Sequence, residues 1–230
     1  MKILFVSATL TEVLPLMLFL DKEAIKKSES YYSFHQNDIY ILITGPGLMS
    51  MTFSMTKYGS LNKIDLAINI GIAGTFDPDG VLGTVCNVYR DKIADLGAEF
   101  PDGSFQDIFE MKLSDKDEFP YNDGWLYSTT KTDVIPRLPK VSGVTVNTVS
   151  GNLSTIEKIK LKYMPDIESM EGAGFFYACN LLKIPCLQIR SLSNYIEPRN
   201  KANWKIKEAV KNLNDTLIRF LKEDYLNEKA

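Results

Sequence analysis

Histidine is almost missing from this chain: His35 is the sole one in 230 residues, and it stands in a polar stretch. A histidine-based triad or metal centre would have to be built on that one side chain. Cysteine is nearly as sparse. Cys86, Cys179 and Cys186 are odd in number, lie in apolar runs and never show CxxC spacing, so neither a disulfide framework nor a zinc site is expected. No metal and no cofactor is expected. A net charge of −3 leaves no electrostatic footprint for nucleic acid. Lys201, Lys205, Lys207 and Lys211 do cluster, but Glu197 and Glu208 interrupt them, as on a solvated helix face. Long apolar runs are absent as well. None approaches the ~20 residues of a membrane span. The apolar start of the chain is broken by Ser7, Thr9, Thr11 and Glu12, with no small-x-small cleavage site after it. The expectation is a cytoplasmic protein that binds neither nucleic acid nor membrane and works with carboxylates, amides and backbone groups.

What is present is an ordinary globular composition, 45% hydrophobic and 24% charged, in a chain long enough to bury one sizeable core. Lys2 to Ala8 is a continuous apolar run, fit for a strand buried on both faces. Thr11-Glu12 opens a helix to about Asp21, with Pro15 in its first turn. Strands are predicted over 38–44, 66–70, 81–89, 141–149 and 186–189. Helices are predicted over 48–58, 171–183 and 206–221, and over 154–163 from the capping box Ser154-Thr155-Ile156-Glu157. Residues 90–132, rich in Asp, Gly and Pro, read as loop with short pieces of structure. With neither an internal repeat nor a linker, the alternation of buried strands and helices predicts one α/β domain over residues 1–230.

Two stretches carry polar chemistry where such a fold binds ligands. Asp166-Ile167-Glu168-Ser169-Met170-Glu171-Gly172-Ala173-Gly174 puts a carboxylate at a helix start beside small residues. Arg190-Ser191-Leu192-Ser193-Asn194 follows an apolar strand with no turn signal between. Open α/β sheets bind ligands at the carboxyl ends of their strands, so Glu171, Arg190, Ser193 and Asn194 are expected at one cleft. Gly71-Ile72-Ala73-Gly74 ends another strand. It lets a flat ligand lie against backbone, or it is a turn that needs glycine at positive φ; it is neither GxGxxG nor a P-loop. Glu12 lies beyond the first strand at the same sheet edge. Two carboxylates around one cleft allow one to act as general base while the other binds hydroxyls.

These residues, in this order, resemble the nucleoside phosphorylase and nucleosidase superfamily, and its hydrolytic branch in particular. The motifs are Glu12, Asn69-Ile70-Gly71-Ile72-Ala73-Gly74, Val149-Ser150-Gly151, Met170-Glu171-Gly172-Ala173 and Arg190-Ser191-Leu192-Ser193-Asn194, spread over most of the chain. Asn194, Pro198-Arg199 and Trp204 are most similar to the futalosine hydrolases of the menaquinone pathway. Methylthioadenosine/S-adenosylhomocysteine nucleosidases typically have Asp where Asn194 stands. That reading and a non-catalytic nucleoside-binding relative are the alternatives. The resemblance implies a three-layer α/β/α domain around a central mixed twisted sheet, a small purine nucleoside as ligand, and a homo-oligomer, dimeric or larger.

The resemblance also implies roles. Glu171 would bind the ribose hydroxyls, with Met170 on the sugar face. Glu12 would hold and deprotonate the attacking water, with Arg190 nearby. Ile72, Ala73 and Gly74 would line the floor, and Asn152 and Leu153 would meet the base edge through backbone groups. Asn194, beside Ser193, would hydrogen-bond the purine at N7. Ile72 stands where nucleosidases often carry a water-binding serine. Breaking an N-glycosidic bond builds positive charge on the sugar and negative charge on the base, which a carboxylate and an N7 donor respectively stabilise. An asparagine donates without transferring a proton, which suits a 6-oxopurine better than adenine. Phosphorolysis would need a cationic clamp. Of the five arginines, Arg90, Arg137, Arg190, Arg199 and Arg219, just Arg190 belongs to a matched motif, so hydrolysis is favoured.

Overall fold

A computed structural model describes residues 1–130 and 138–223. Its elements are β1 (Lys2–Ser7), α1 (Leu10–Glu23), β2 (Ile25–Ser28), β3 (Tyr31–Phe34), β4 (Asn37–Ile43), α2 (Leu48–Leu61), β5 (Leu66–Thr75) and β6 (Val85–Ile93). These are followed by β7 (Gly97–Glu99), β8 (Phe105–Asp107), β9 (Leu126–Tyr127), β10 (Lys140–Thr145), α3 (Leu153–Tyr163), β11 (Ile167–Ser169), α4 (Gly172–Leu181), β12 (Cys186–Tyr195) and α5 (Ile206–Lys222).

The first apolar run sets the layers. Side chains alternate across a strand. Ile3 and Phe5 join a core with Val13, Leu16 and Leu20 of α1 and Leu213, Leu217 and Leu221 of α5. Leu4 and Val6 join another with Met51 and Met55 of α2 and Phe175, Phe176 and Cys179 of α4. The sheet therefore has α1 and α5 on one face and α2 and α4 on the other, the three-layer α/β/α arrangement expected. It is a mixed sheet in the order β11-β10-β6-β12-β5-β1-β4-β3-β2, with β9 on β6. β5 is parallel to β1 and β12, whereas β6 is antiparallel to β12. β11 also pairs with the end of β5, so β5, β12, β6, β10 and β11 close into a ring.

Several elements differ from the sequence reading, each for a physical reason. β5 and β12 do not stop at Ile70 and Ile189: Arg190, Ser191 and Leu192 stay in the ladder opposite Gly71, Ile72 and Ala73. The strand placed at 81–89 runs from Val85 to Ile93. A turn at Gly83, with φ 87°, precedes it, and Asp91 continues it as a buried charged residue. The strand placed at 141–149 ends at Thr145, and the hairpin β2–β3, whose first strand is wholly exposed, carried no burial pattern to announce it. The stretch 90–130 holds β7–β8 and β9 as well as loop; residues 131–132 of that reading, and Arg137, lie outside the described residues. α3 is capped by Asn152, whose side chain accepts from Ser154 N–H, rather than by a box at Ser154.

α1 begins at Leu10, capped by Thr9, so Pro15 falls beyond the first turn. The interruption is repaired from outside the helix. Leu16 N–H donates to Asn214 Oδ1 at 3.0 Å, and Asn214 Nδ2 donates back to Glu12 C=O at 2.9 Å. The amide of α5 thus stands in for the turn between Glu12 and Leu16. Asn214→Ala should leave both backbone groups buried without partners and lower unfolding free energy by about 1–3 kcal/mol, read from the denaturant midpoint. A variant as stable as the parent would show that water reaches these groups.

Candidate active site

β1, β4, β5 and β12 run parallel, so their carboxyl ends share one edge. α1, α2 and α4 begin there too, and a cavity of about 320 Å³ opens between them, within the range that holds small molecules. Glu12, Ile72, Ala73, Gly74, Met170, Glu171, Ser193 and Asn194 line it. The structure therefore brings eight of the sequence-predicted site residues to one wall. Arg190 is buried behind that wall. Asn152 and Leu153 are not on it: the first caps α3 and the second is 59% exposed.

Glu12 is held at both oxygens. Thr9 donates to Oε2 through its N–H at 3.1 Å and its hydroxyl at 2.7 Å, and Ile72 N–H donates to Oε1 at 3.1 Å. The contact that Ile72 makes with the carboxylate is thus through its backbone. Glu171 caps α4 with its backbone and accepts from Gly47 N–H at 2.9 Å with its carboxylate. That N–H opens α2, so the carboxylate also meets the positive end of a helix. Gly47, at φ 93°, has a backbone that glycine adopts most readily.

Gly71 and Gly74 have ordinary φ, so neither is a turn glycine; both give room instead. A β-carbon at Gly71 would lie closer than 3.0 Å to both Arg190 Nη1 and Glu12 Oε1. One at Gly74 would meet Ile196 Cγ1 at 2.8 Å and Asn194 Nδ2 at 3.1 Å. Asn194 reaches the cavity through a bulge at Ser193, the extra residue between Leu192 and Asn194. Its Oδ1 accepts from Ser193 Oγ at 2.8 Å and its Nδ2 donates to Tyr195 C=O at 3.0 Å.

Arg190, 1% exposed, donates from Nε to Gln188 at 3.0 Å and from Nη2 to Asn69 at 2.5 Å, and Nη2 lies 3.9 Å from Glu171 Oε2. Glu168 and Ser169 also line the cavity, and the sequence reading assigned them nothing although they stand in the stretch that carries Glu171. Ser150 donates to Glu168 through its N–H and its hydroxyl. Burial pushes the Glu168 carboxyl up from its ordinary range, against those two hydrogen bonds. Ser169 Oγ is buried with no partner among the described residues. Pro46, Val149, Trp204, Ile206 and Val210 supply the apolar part of the wall. Among the described residues no group of His, Cys, Asp and Glu is arranged to hold a metal ion, and no helix is long and apolar enough to cross a membrane.

A family model described as the phosphorylase superfamily matches residues 3–223. The chain belongs to that superfamily. It is similar to a futalosine hydrolase of Thermus thermophilus, 28% identical over 80% of this chain and 81% of the relative. A futalosine hydrolase of Streptomyces coelicolor is 29% identical over 66% of this chain and 63% of the relative. Among solved structures, a 5′-methylthioadenosine/S-adenosylhomocysteine nucleosidase of Colwellia psychrerythraea, in complex with adenine, shares the fold. Its TM-score is 0.74 at 19% identity, over 96% of this chain and 95% of that one.

The space at Gly71 generates a prediction. Gly71→Ala should force Arg190 or Glu12 aside and cost about 1–3 kcal/mol of stability, the usual penalty for overpacking, measured by thermal or denaturant unfolding. An unchanged midpoint would mean that Arg190 can withdraw without loss.

Proposed function

We propose that this protein hydrolyses the N-glycosidic bond of a purine nucleoside, and that its substrate is futalosine, cleaved to hypoxanthine and dehypoxanthine futalosine. The observation that carries the reading is the charge of the cavity wall. Glu12, Glu168 and Glu171 line it, and among the described residues no lysine or arginine does. Such a wall favours a sugar that gains positive charge as its bond to the base breaks. It also repels the phosphate that phosphorolysis would require. Arg190, behind the wall, is buried and engaged by Gln188 and Asn69, and Arg199 lies over the ring of Trp204.

In this reading Glu171 binds the ribose hydroxyls with Met170 against the sugar. Glu12 is the general base that takes the proton of the attacking water. Ala73 and Gly74 form a floor close to backbone. Asn194, oriented by Ser193, donates to N7 of the base. The positions of Asn152 and Leu153 do not support a contact with the base, and Val149 is the wall residue of that segment. The water is oriented by the Glu12 carboxylate rather than by a side chain at Ile72. Futalosine as the substrate is supported by the asparagine at 194 and by the two relatives named futalosine hydrolase. The enzyme acts as a single cytoplasmic domain within a homo-oligomer. Assembly is supported by exposed Leu10, Leu14 and Leu18 at helical spacing on α1, and by Met49 and Phe53 one turn apart on α2.

The deciding experiment is product analysis on futalosine, aminodeoxyfutalosine, methylthioadenosine and inosine, with and without phosphate. Free hypoxanthine is expected from futalosine at a rate independent of phosphate. Adenine from methylthioadenosine as the main product would favour the methylthioadenosine/S-adenosylhomocysteine nucleosidase reading. A sugar 1-phosphate would overturn hydrolysis altogether, and release of no base from any of the four would favour a non-catalytic binder. Within the leading reading, Glu12→Gln should keep nucleoside binding and lose ~10²–10⁴-fold in turnover, the usual contribution of a general base. Turnover close to that of the parent would remove Glu12 from the mechanism.

A further inference from the structure

We propose that Asp91 is a positioning residue which, through Gln188, fixes the guanidinium of Arg190 between Glu12 and Glu171. The consequence for turnover rests on the nucleosidase reading; the positioning does not.

The direction of every hydrogen bond from Thr145 through Asp91 and Gln188 to Arg190 is determined. Asp91 lies within β6, two residues before its end, with no exposed surface. Ala173 N–H donates to Thr145 Oγ1 at 2.8 Å, so the single hydroxyl hydrogen of Thr145 goes to Asp91 Oδ1, also at 2.8 Å. The other carboxylate oxygen accepts from Gln188 Nε2 at 3.0 Å. With its nitrogen committed to a group that only accepts, Gln188 turns its oxygen to Arg190 Nε, a group that only donates. At the far end, Asn69 Nδ2 donates to Val6 C=O at 3.0 Å, which leaves Asn69 Oδ1 to receive Arg190 Nη2. The guanidinium is therefore gripped at Nε and at Nη2. Its Nη1 is left in the space that the missing β-carbon of Gly71 vacates beside Glu12.

The same carboxylate steadies the other side of the site. A β-carbon at Gly172 would lie closer than 3.0 Å to Asp91 Oδ2 and to the Gln188 side-chain amide, so the first turn of α4 closes directly over the link. Thr145 ties the next residue of that turn, Ala173, to Asp91. Glu171 immediately precedes both. Burial pushes the Asp91 carboxyl up to about 6, against the hydrogen bonds of Gln188 and Thr145 and the charge of Arg190. At neutral pH it is thus still mostly ionised. A buried charge of this kind adds little to stability over a well-packed apolar residue, whereas it and the Arg190 Nε–H at the other end leave the amide between them a single orientation.

That logic gives a test with a built-in rescue. Asp91→Asn places a second amide against Gln188, and no orientation of the two amides satisfies both Thr145 and Arg190. Adding Gln188→Glu restores a match at every link: the new amide donates to the new carboxylate, which accepts from Arg190 Nε. In nitrogen-edited NMR, the Arg190 Nε–H, assigned by its loss in Arg190→Lys, should be protected from exchange in the parent. It should lose that protection by at least ~10-fold in Asp91→Asn and regain it in the double variant. In parallel, kcat for purine release should fall by about 10–100-fold with KM changed less, by analogy with removal of an outer hydrogen-bond partner, and recover in the double variant. A folded double variant with protected Nε–H beside an unfolded single variant supports the proposal equally. A single variant that keeps the protected Nε–H, or a folded double variant without it, overturns the proposal. If the parent releases no purine, the nucleosidase reading fails while the NMR comparison still decides the positioning.

Discussion

A guanidinium and a carboxylate share the space where position 71 has no side chain, and a second carboxylate lies beyond the guanidinium. Glu12 and Glu171 both face the cavity, and two like charges in a site partly withdrawn from water repel each other. Arg190, placed behind them rather than beside the ligand, offsets that repulsion without occupying the cavity. Gly71 makes this possible because the strand on which it lies can come within hydrogen-bonding range of both groups. The wall the ligand meets stays acidic, and the compensating charge is kept one layer deeper. This is the condition on which the proposed chemistry depends: a site that favours a cationic sugar while holding its own carboxylates in place.

The neighbouring elements can be understood as meeting that condition. Glu12 is in the first turn of α1, where its carboxylate ties Thr9 and Ile72 together across the gap between helix and sheet. Glu171 bridges the starts of α2 and α4. Even Pro15, which interrupts α1, is accommodated by a device that bears on the site. The Asn214 amide takes over the hydrogen bond lost near the interruption and ties α5 to the backbone of Glu12. Each carboxylate is thus fixed both by donors at its oxygens and by anchoring of the helix that carries it, the double restraint a precise site requires.

Much of this was legible in the sequence, and what was not has a common cause. Strand cores such as Leu4–Val6 and helix faces such as Val210, Leu213 and Leu217 follow from apolar periodicity. Glu12, Glu171 and Asn194 could be located because strand ends and helix starts gather at one edge of such a sheet. Charged residues ordinarily mark the ends of buried strands, yet Asp91 and Arg190 lie within strands, because each is paired with a group far away in sequence. Asp91 and Gln188 are 97 residues apart, and no local pattern announces such a partner. Asn214 was hidden for the same reason, as a polar residue on an otherwise apolar helix face. Ser154 offered a convincing cap, but Asn152 lay two residues earlier and was the stronger competitor. The exposed hairpin β2–β3 left no burial pattern at all.

The bulge at Ser193 has a chemical consequence that composition could not reveal. Unbroken alternation after Leu192, which pairs with Ala73, would set Ser193 opposite Gly74 and Asn194 opposite Thr75; with Ser193 bulged out, Asn194 stands opposite Gly74 instead. The bulge turns it to the cavity, and the turn comes with its orientation fixed. Ser193 occupies the amide oxygen, and Tyr195 C=O takes one hydrogen of the amide nitrogen. One N–H is left for a ligand, so this end of the cavity presents a donor, beside an amide oxygen that keeps a second lone pair. A purine cleaved here would find its N7 met by a hydrogen bond but not by an acid. The developing negative charge must then be carried by the base itself, as a 6-oxopurine can do better than a 6-aminopurine. The proposed preference is therefore a property of how one residue is inserted in a strand, and the Asn194 side chain acts on it only because Ser193 and Tyr195 hold it still.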